Sequence, residues 1–132
     1  ADLAKLGQEF HQAARQLTAV EWNRLGVATA EKDRKKALED YLEAVKLDPT
    51  FAKGYYNIGV SYAELDDDKK AIEAYSEAIQ GDPTLADAYN NRGFSYMVLG
   101  NKEKGCQDML AACRMGECKG ANYAKSKGFC LN

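Results

Sequence analysis

A short phrase occurs twice in the chain, and its spacing constrains the fold more than any other feature. Asp48-Pro49-Thr50-Phe51 and Asp82-Pro83-Thr84-Leu85 have their prolines 34 residues apart. A fixed period of this length is typical of stacked helical hairpins. The blocks that follow residue 51 and residue 85 also correspond, as A-K-G-Y-Y-N-I-G-V-S-Y and A-D-A-Y-N-N-R-G-F-S-Y. An earlier copy, with one residue fewer in the region 32–36, gives three repeats from residue 19 to about residue 118.

Each repeat has the pattern of a helical hairpin. Two apolar-periodic segments of helical length are separated by a polar stretch, such as the one at residues 65–69. Asp-Pro ends the second segment, because a residue before proline is steered out of the helical conformation. Gly59 and Gly93 lie inside helical patterns, where glycine costs roughly 1 kcal/mol relative to alanine. Their presence indicates helices that approach closely, and one hairpin cannot bury its apolar face without stacked neighbours.

These repeats resemble those of the tetratricopeptide repeat (TPR) family. An aromatic residue is followed four positions later by glycine in all three copies, as Trp22 and Gly26, Tyr55 and Gly59, and Tyr89 and Gly93. The resemblance implies an all-α fold, an α-solenoid of three TPR helical hairpins with an N-terminal helix and a short C-terminal capping helix. The third repeat departs from the pattern, because Gly105 and Met109 replace alanine and tyrosine and Glu117 replaces proline. The array is therefore predicted to end there.

The chain is predicted to be a single TPR domain over residues 1–132. Its parts are an N-terminal helix (1–17), three repeats (19–51, 52–85 and 86–118) and a C-terminal cap (119–132). In the first part, apolar residues have the spacing of an amphipathic helix: Leu3, Leu6, Phe10, Ala13, Ala14 and Leu17. We expect this helix to cover the open side of the first repeat. The alternative is that it docks into a neighbouring copy and drives formation of a homo-oligomer.

Composition removes several classes of function. The 45% apolar share excludes a disordered chain, and a net charge of −2 without a basic patch gives no electrostatic basis for nucleic-acid binding. No apolar run approaches the roughly 18 residues of a membrane span. His11 is the single histidine, which excludes a histidine triad and a multi-histidine metal site. The acidic run 66–68 lacks the glycine and final glutamate of a calcium loop, so a solvated turn with acids near a helix N-terminus is predicted. We expect no cofactor, no metal and no enzymatic activity.

Four cysteines, Cys106, Cys113, Cys118 and Cys130, are confined to the last 27 residues. One period earlier, the first two correspond to Ile72 and Ile79, on the ridge that faces the next repeat in a stacked array. They lie one heptad, about 10 Å, apart on one helix and cannot bond to each other. If the cap folds back antiparallel, the favoured pairs are Cys106–Cys130 and Cys113–Cys118.

Other chemistries of the cysteines remain open. A zinc site would need paired short spacing that Cys-x6-Cys-x4-Cys-x11-Cys lacks. A redox dithiol and free buried thiols are further alternatives. Disulfides would imply an oxidising compartment, so a periplasmic or otherwise exported bacterial protein is predicted. The start at Ala1, without methionine or a signal segment, fits either a processed protein or a shortened piece.

The family resemblance implies a concave groove, formed by the first helices, that binds a peptide or a partner protein. The residues carried over to this groove are Asn23, Arg24, Val27, Lys53, Tyr56, Asn57, Val60, Glu64, Asp87, Asn90, Asn91, Phe94 and Met97. Asn57 and Asn91 hold the place from which some relatives bond a peptide backbone. A terminal carboxylate is not the expected ligand, because Asp87 and Asn23 replace two basic residues of that subgroup.

A non-catalytic protein–protein interaction module is therefore the predicted function. A self-assembling structural scaffold, with the N-terminal helix of one copy in the groove of another, is the alternative from a different class. A cysteine-based redox or metal protein is a third.

Overall fold

The computed structural model describes residues 17–130, which form seven α-helices and no β-strand. The helices are α1 (Ala19–Thr29), α2 (Arg34–Leu47), α3 (Ala52–Glu64), α4 (Asp68–Gly81), α5 (Ala86–Val98), α6 (Lys102–Arg114) and α7 (Lys119–Ser126). Most of the predicted N-terminal helix lies outside the described residues. Within them, no helix has both the length and the apolar composition needed to cross a bilayer.

The helices pair and stack in chain order. α1 packs against α2, α3 against α4 and α5 against α6, and each hairpin contacts the next through α2 with α3 and α4 with α5. The core between the first two hairpins is made by the buried side chains of Ala37, Tyr41, Ile58 and Ala74. The predicted all-α solenoid of three hairpins is thus confirmed.

The repeated Asp-Pro-Thr phrase forms the same turn at both places. An oxygen of Asp48 accepts hydrogen bonds from the amide of Thr50 at 3.0 Å and from its hydroxyl at 2.7 Å. Asp82 accepts the corresponding bonds from Thr84 at 3.0 and 2.6 Å. These bonds stabilise the ionised carboxylates and lower the pKa of both aspartates. The phrase therefore marks a turn with its own hydrogen bonds between one hairpin and the next.

The polar turns inside the hairpins begin the second helices. Asp33, Asp67 and Asn101 are N-cap residues, and each side chain accepts a hydrogen bond from the amide three residues later, at 3.1, 3.2 and 3.2 Å. Within the acidic run, Asp67 is the residue that caps α4. Since α2 begins directly after Asp33, the residue missing from the first repeat belongs to the turn before α2.

The seam inside each hairpin explains the glycine pattern. A Cβ on Gly59 would overlap the ring of Tyr75, and one on Gly26 would overlap Tyr41, so only glycine lets these rings pack against the first helix. In the third hairpin the corresponding contact of Gly93 is made with the narrower side chain of Met109. The departure of the third repeat from the family pattern thus changes the residues of the seam and keeps the hairpin.

One ion pair lies inside the third hairpin. Arg92 on α5 donates to both oxygens of Asp108 on α6, at 2.8 and 2.7 Å, and a third nitrogen donates to the hydroxyl of Ser76 on α4 at 3.1 Å. The Asp108 side chain is 9% exposed, and Arg92 is flanked by the rings of Tyr89 and Tyr96. A bidentate pair of this kind fixes the mutual position of three helices.

The cap occupies the place where a fourth repeat would begin. α7 contacts both α6 and α5, just as α3 contacts α2 and α1. Cys106 and Cys130 have their sulfur atoms at bonding distance with Cα atoms 5.6 Å apart, and Cys113 and Cys118 do so with Cα atoms 4.0 Å apart. Both pairs connect α6 to the segment that contains the cap.

Candidate functional site

The concave face is formed by the first helices of the three hairpins, and side chains bond directly across it. The amide nitrogen of Asn57 on α3 donates to the amide oxygen of Asn23 on α1 at 2.8 Å. The amide nitrogen of Asn91 on α5 donates to the hydroxyl of Tyr56 on α3 at 3.1 Å. Each asparagine predicted to contact a peptide backbone therefore already uses its nitrogen within the array.

A cavity of about 410 Å³ lies between the second and third hairpins. Its walls come from α3, the turn after it, α4 and α5: Val60, Ala63, Glu64, Asp66, Asp68, Tyr75, Asn91, Phe94, Ser95 and Val98. We call it the concave pocket. Phe94 is 37% exposed and Val98 is 69% exposed, so the α5 wall presents apolar surface to solvent. The volume falls in the range of sites that accept a few side chains or a small ligand.

Aromatic rings surround the pocket. The buried ring of Tyr75 lies 6.0 Å, centroid to centroid, from Tyr56, and burial raises the pKa of the Tyr75 hydroxyl. The pKa of Tyr56 is also raised, first by burial and then by the negative charge of Asp87. Both phenols are therefore neutral at physiological pH. On the other side, Phe94 packs against Tyr123 of the cap, with ring centroids 5.4 Å apart.

The charged side chains of the pocket lie where α3 turns into α4. Three carboxylates line it, those of Glu64, Asp66 and Asp68. Glu64 forms an exposed ion pair with Arg34 of the first hairpin at 2.8 Å. In the part of the chain that the structure describes, Asp66 and Asp68 have no lysine or arginine nitrogen within 4.0 Å. The three acidic residues therefore give one end of the pocket an excess of negative charge.

The structure places two of the predicted groove residues elsewhere. Asn90 is only 7% exposed, because its side chain turns toward the cap and donates to the carbonyl of Glu117 at 3.2 Å. Met97 extends over α6, where its side chain occupies the space that a Cβ on Gly105 would need. Asn90 therefore holds the cap and Met97 fills the seam of the third hairpin, and a role of either residue in binding a partner stays a prediction.

The other predicted residues stay on the first helices, and four of them line the concave pocket: Val60, Glu64, Asn91 and Phe94. Arg24, Val27, Lys53 and Asp87 are exposed. The sequence interpretation missed Ala63, Asp66, Asp68, Tyr75 and Ser95. The period could have located Ala63, which precedes Glu64, but Asp66 and Asp68 enter the wall only through the geometry of the turn.

A second cavity, of about 480 Å³, lies on the opposite side of the array between α2, α3 and α4. It is lined by Leu42, Val45, Tyr55, Ile58, Tyr62, Lys70, Glu73, Ala74 and Glu77. We call it the convex pocket. Its charges are mixed, since one lysine accompanies two glutamates. Among residues 17–130, no three histidine, cysteine or acidic side chains come together as a metal site.

Comparison with known proteins agrees with this geometry. A family model described as TPR repeat matches residues 29–66 and 61–100, more than half of the chain. The chain belongs to the TPR family. A peroxisomal targeting signal receptor of Candida albicans is 46% identical over 44 residues. That segment is 33% of this chain and only 7% of the receptor.

Solved TPR structures share the fold. The crystal structure of MamA superimposes with a TM-score of 0.72 at 28% identity, covering 79% of this chain and 61% of MamA. The first TPR of Spaghetti (RPAP3), bound to the HSP90 peptide SRMEEVD, gives 0.78 at 17% identity and covers 82% of this chain and 88% of that one. The second TPR of Spaghetti, with the same peptide, gives 0.72 at 22% identity and covers 80% and 97%. TPR proteins are generally interaction modules without catalytic activity.

Proposed function

We propose that this TPR array binds an extended segment of a partner protein on its concave face, with an apolar side chain of the partner in the concave pocket. The exposure of Phe94 supports this most directly. A phenyl ring that is 37% exposed beside Val98 on a pocket wall leaves apolar surface in water that a partner could cover. Aromatic residues in such places are frequent energetic centres of protein interfaces.

The inter-helix bonds refine the role of the predicted residues. Asn57 and Asn91 donate within the array, so we propose that their amide oxygens, rather than both ends of the side chains, face a bound segment. Asn23, Arg24, Val27, Lys53, Tyr56 and Asp87 would flank it. Both TPRs of Spaghetti are bound to an HSP90 peptide, which agrees with this use of the fold. At 17% and 22% identity, they support the fold and not the choice of ligand.

We further propose that the module is non-catalytic and that it works in an oxidising compartment, such as the periplasm. The two cysteine pairs support this location, because disulfides form and persist mainly outside the reducing cytosol. By the chain-entropy relation, loops of this length would stabilise the cap by about 3.5 and about 2 kcal/mol.

The test uses peptides selected from a random dodecapeptide phage library on the immobilised chain. Synthetic versions are then titrated by fluorescence anisotropy against wild type and Phe94→Ala/Val98→Ser. We expect the double variant to bind at least tenfold more weakly, about 1.4 kcal/mol, with unchanged helical circular dichroism. Tyr56 is a poorer target, because its hydroxyl accepts the bond from Asn91.

Leu42→Ser is the matched control. Leu42 is 41% exposed, a fraction similar to the 37% of Phe94, but it lines the convex pocket. Peptides that lose affinity with Leu42→Ser and keep it with the concave double variant would place the binding surface on the other face and contradict the proposal.

A further inference from the structure

The negative end of the concave pocket indicates which segments it accepts. We propose that the pocket selects a peptide segment in which an apolar side chain is accompanied, within a few residues, by lysine or arginine. This inference rests on the proposed function, since it concerns the same surface. It adds the charge of the ligand, which neither the family nor the repeat pattern specifies.

The arrangement of charge around the pocket supports a basic ligand. Within residues 17–130 the lining set contains three carboxylates and no lysine or arginine. Arg34 offsets only Glu64, at 2.8 Å. Asp66 and Asp68 line the same pocket as Val98 and Phe94. A cationic side chain would complete this charge pattern, and complementary charges of this kind raise selectivity and association rate.

The carboxylate of Asp66 has no part in ending α3. Asp66 has a φ of 63°, in the left-handed region, and the corresponding residue of the next repeat is Gly100, with a φ of 85°. Both close their helix in the same way: the amide of Asp66 donates to Ala63 at 3.0 Å and that of Gly100 donates to Met97 at 3.0 Å. The helix end thus needs no side chain there. The carboxylate of Asp66 is therefore not required for closing the helix and stays exposed at the pocket.

Two other ligand classes fit less well. An acidic segment would be repelled by the unpaired carboxylates at the end of the pocket. The convex pocket has a similar volume, but Lys70 lines it together with Glu73 and Glu77 and lies over the ring of Tyr62. The convex pocket therefore carries both positive and negative side chains. The acidic residues of the concave pocket therefore favour a basic segment on that face.

The experiment uses the phage-selected dodecapeptides and the full chain. We expect those that require Phe94 to contain an apolar residue flanked by lysine or arginine. Replacing the basic residues of such a peptide by serine should weaken binding to wild type about fivefold at low salt, since an exposed pair contributes at most about 1 kcal/mol. The same replacement should change the affinity for Asp66→Asn/Asp68→Asn less than twofold. In 0.5 M NaCl the difference for wild type should shrink as well.

Glu73→Gln/Glu77→Gln, on the convex pocket, is the matched control and should keep the wild-type preference. Three results would overturn the inference. Peptides that depend on Phe94 but show no basic preference would contradict it and leave the proposed function intact. Peptides indifferent to Phe94→Ala would contradict both. A dimer in sedimentation that Asp66→Asn/Asp68→Asn dissociates would show that the carboxylates pair with a second copy of the chain instead.

Discussion

The left-handed residue at the end of α3 leads to a prediction in which loss of a side chain stabilises the protein. Asp66→Gly should raise the free energy of unfolding. A left-handed conformation costs an L-residue roughly 1–2 kcal/mol, and aspartate tolerates it better than most. Glycine relieves this cost, but about 0.5–1 kcal/mol of the relief is offset because glycine loses more conformational entropy on folding. The net expectation is a stabilisation of about 0.5–1 kcal/mol, without loss of the helix-closing bond from residue 66 to Ala63.

Urea denaturation followed by circular dichroism at 222 nm measures this change. With a slope of roughly 2 kcal/mol per molar, the midpoint should rise by about 0.25–0.5 M, and the slope itself should stay constant. Gly100→Asp is the reciprocal control. A Cβ there would meet nothing within 4 Å, so its cost is purely one of backbone conformation. It should lower stability by a similar amount.

A third variant separates the backbone from the charge. Asp66→Asn keeps a side chain that tolerates the left-handed region and removes repulsion from Glu64 and Asp68. If Asp66→Asn raises stability as much as Asp66→Gly, the gain comes from charge and should vanish in 0.5 M NaCl. Should Asp66→Gly be neutral or destabilising while Gly100→Asp is harmless, the reasoning from backbone strain would be refuted.

Three further predictions concern the seam, a buried acid and the cap. Gly59→Leu should cost at least 1–3 kcal/mol in urea denaturation, because the new side chain would overlap Tyr75; Glu43→Gln on exposed surface should stay within about 0.5 kcal/mol. Burial raises the pKa of Asp40, and Lys36 only partly offsets this, so its contribution favours folding below about pH 4 and is lost as the pH rises through the raised value. Asp40→Asn should accordingly stabilise the chain at pH 7 and not at pH 3, in chemical denaturation at both pH values. Intact mass should lie about 4 Da below that of the reduced chain; four alkylatable thiols in native protein would contradict the pairing and the proposed compartment.

The repeat period predicted the architecture because it reports on backbone and packing that recur in every copy. Gly59 predicted a close approach of two helices, but the sequence did not reveal that the ring of Tyr75 makes the contact. For the third hairpin, the spacing did not predict which side chains pack between the two helices. There Met109 replaces the tyrosine ring and Met97 fills the space beside Gly105, a joint change that only the packed structure displays.

The groove was less accessible to sequence reasoning, because helix position gives the face of a residue and not the partner of its side chain. Asn90 follows Tyr89 just as Tyr56 follows Tyr55, yet it turns toward the carbonyl of Glu117, which only the folded cap brings into reach. The place of Asp66 in the pocket wall could not be predicted for another reason. It reaches the pocket through a left-handed turn that the sequence of the acidic run does not reveal.

The ion pair inside the third hairpin limits how far these repeats are modular. Arg92 corresponds to Ile58 one period earlier, and Asp108 corresponds to Ala74. Consider a second copy of the third repeat inserted directly after the original third repeat. Its arginine would face Leu110, which corresponds to Ser76. The third guanidinium nitrogen would then lose the hydroxyl that it contacts in the native array. Duplication or exchange of hairpins, the usual route by which solenoids lengthen in evolution and in engineering, would thus meet a mismatch at this junction. The repeats share one architecture, yet the bond from Arg92 to Ser76 favours the order in which the third repeat follows the second.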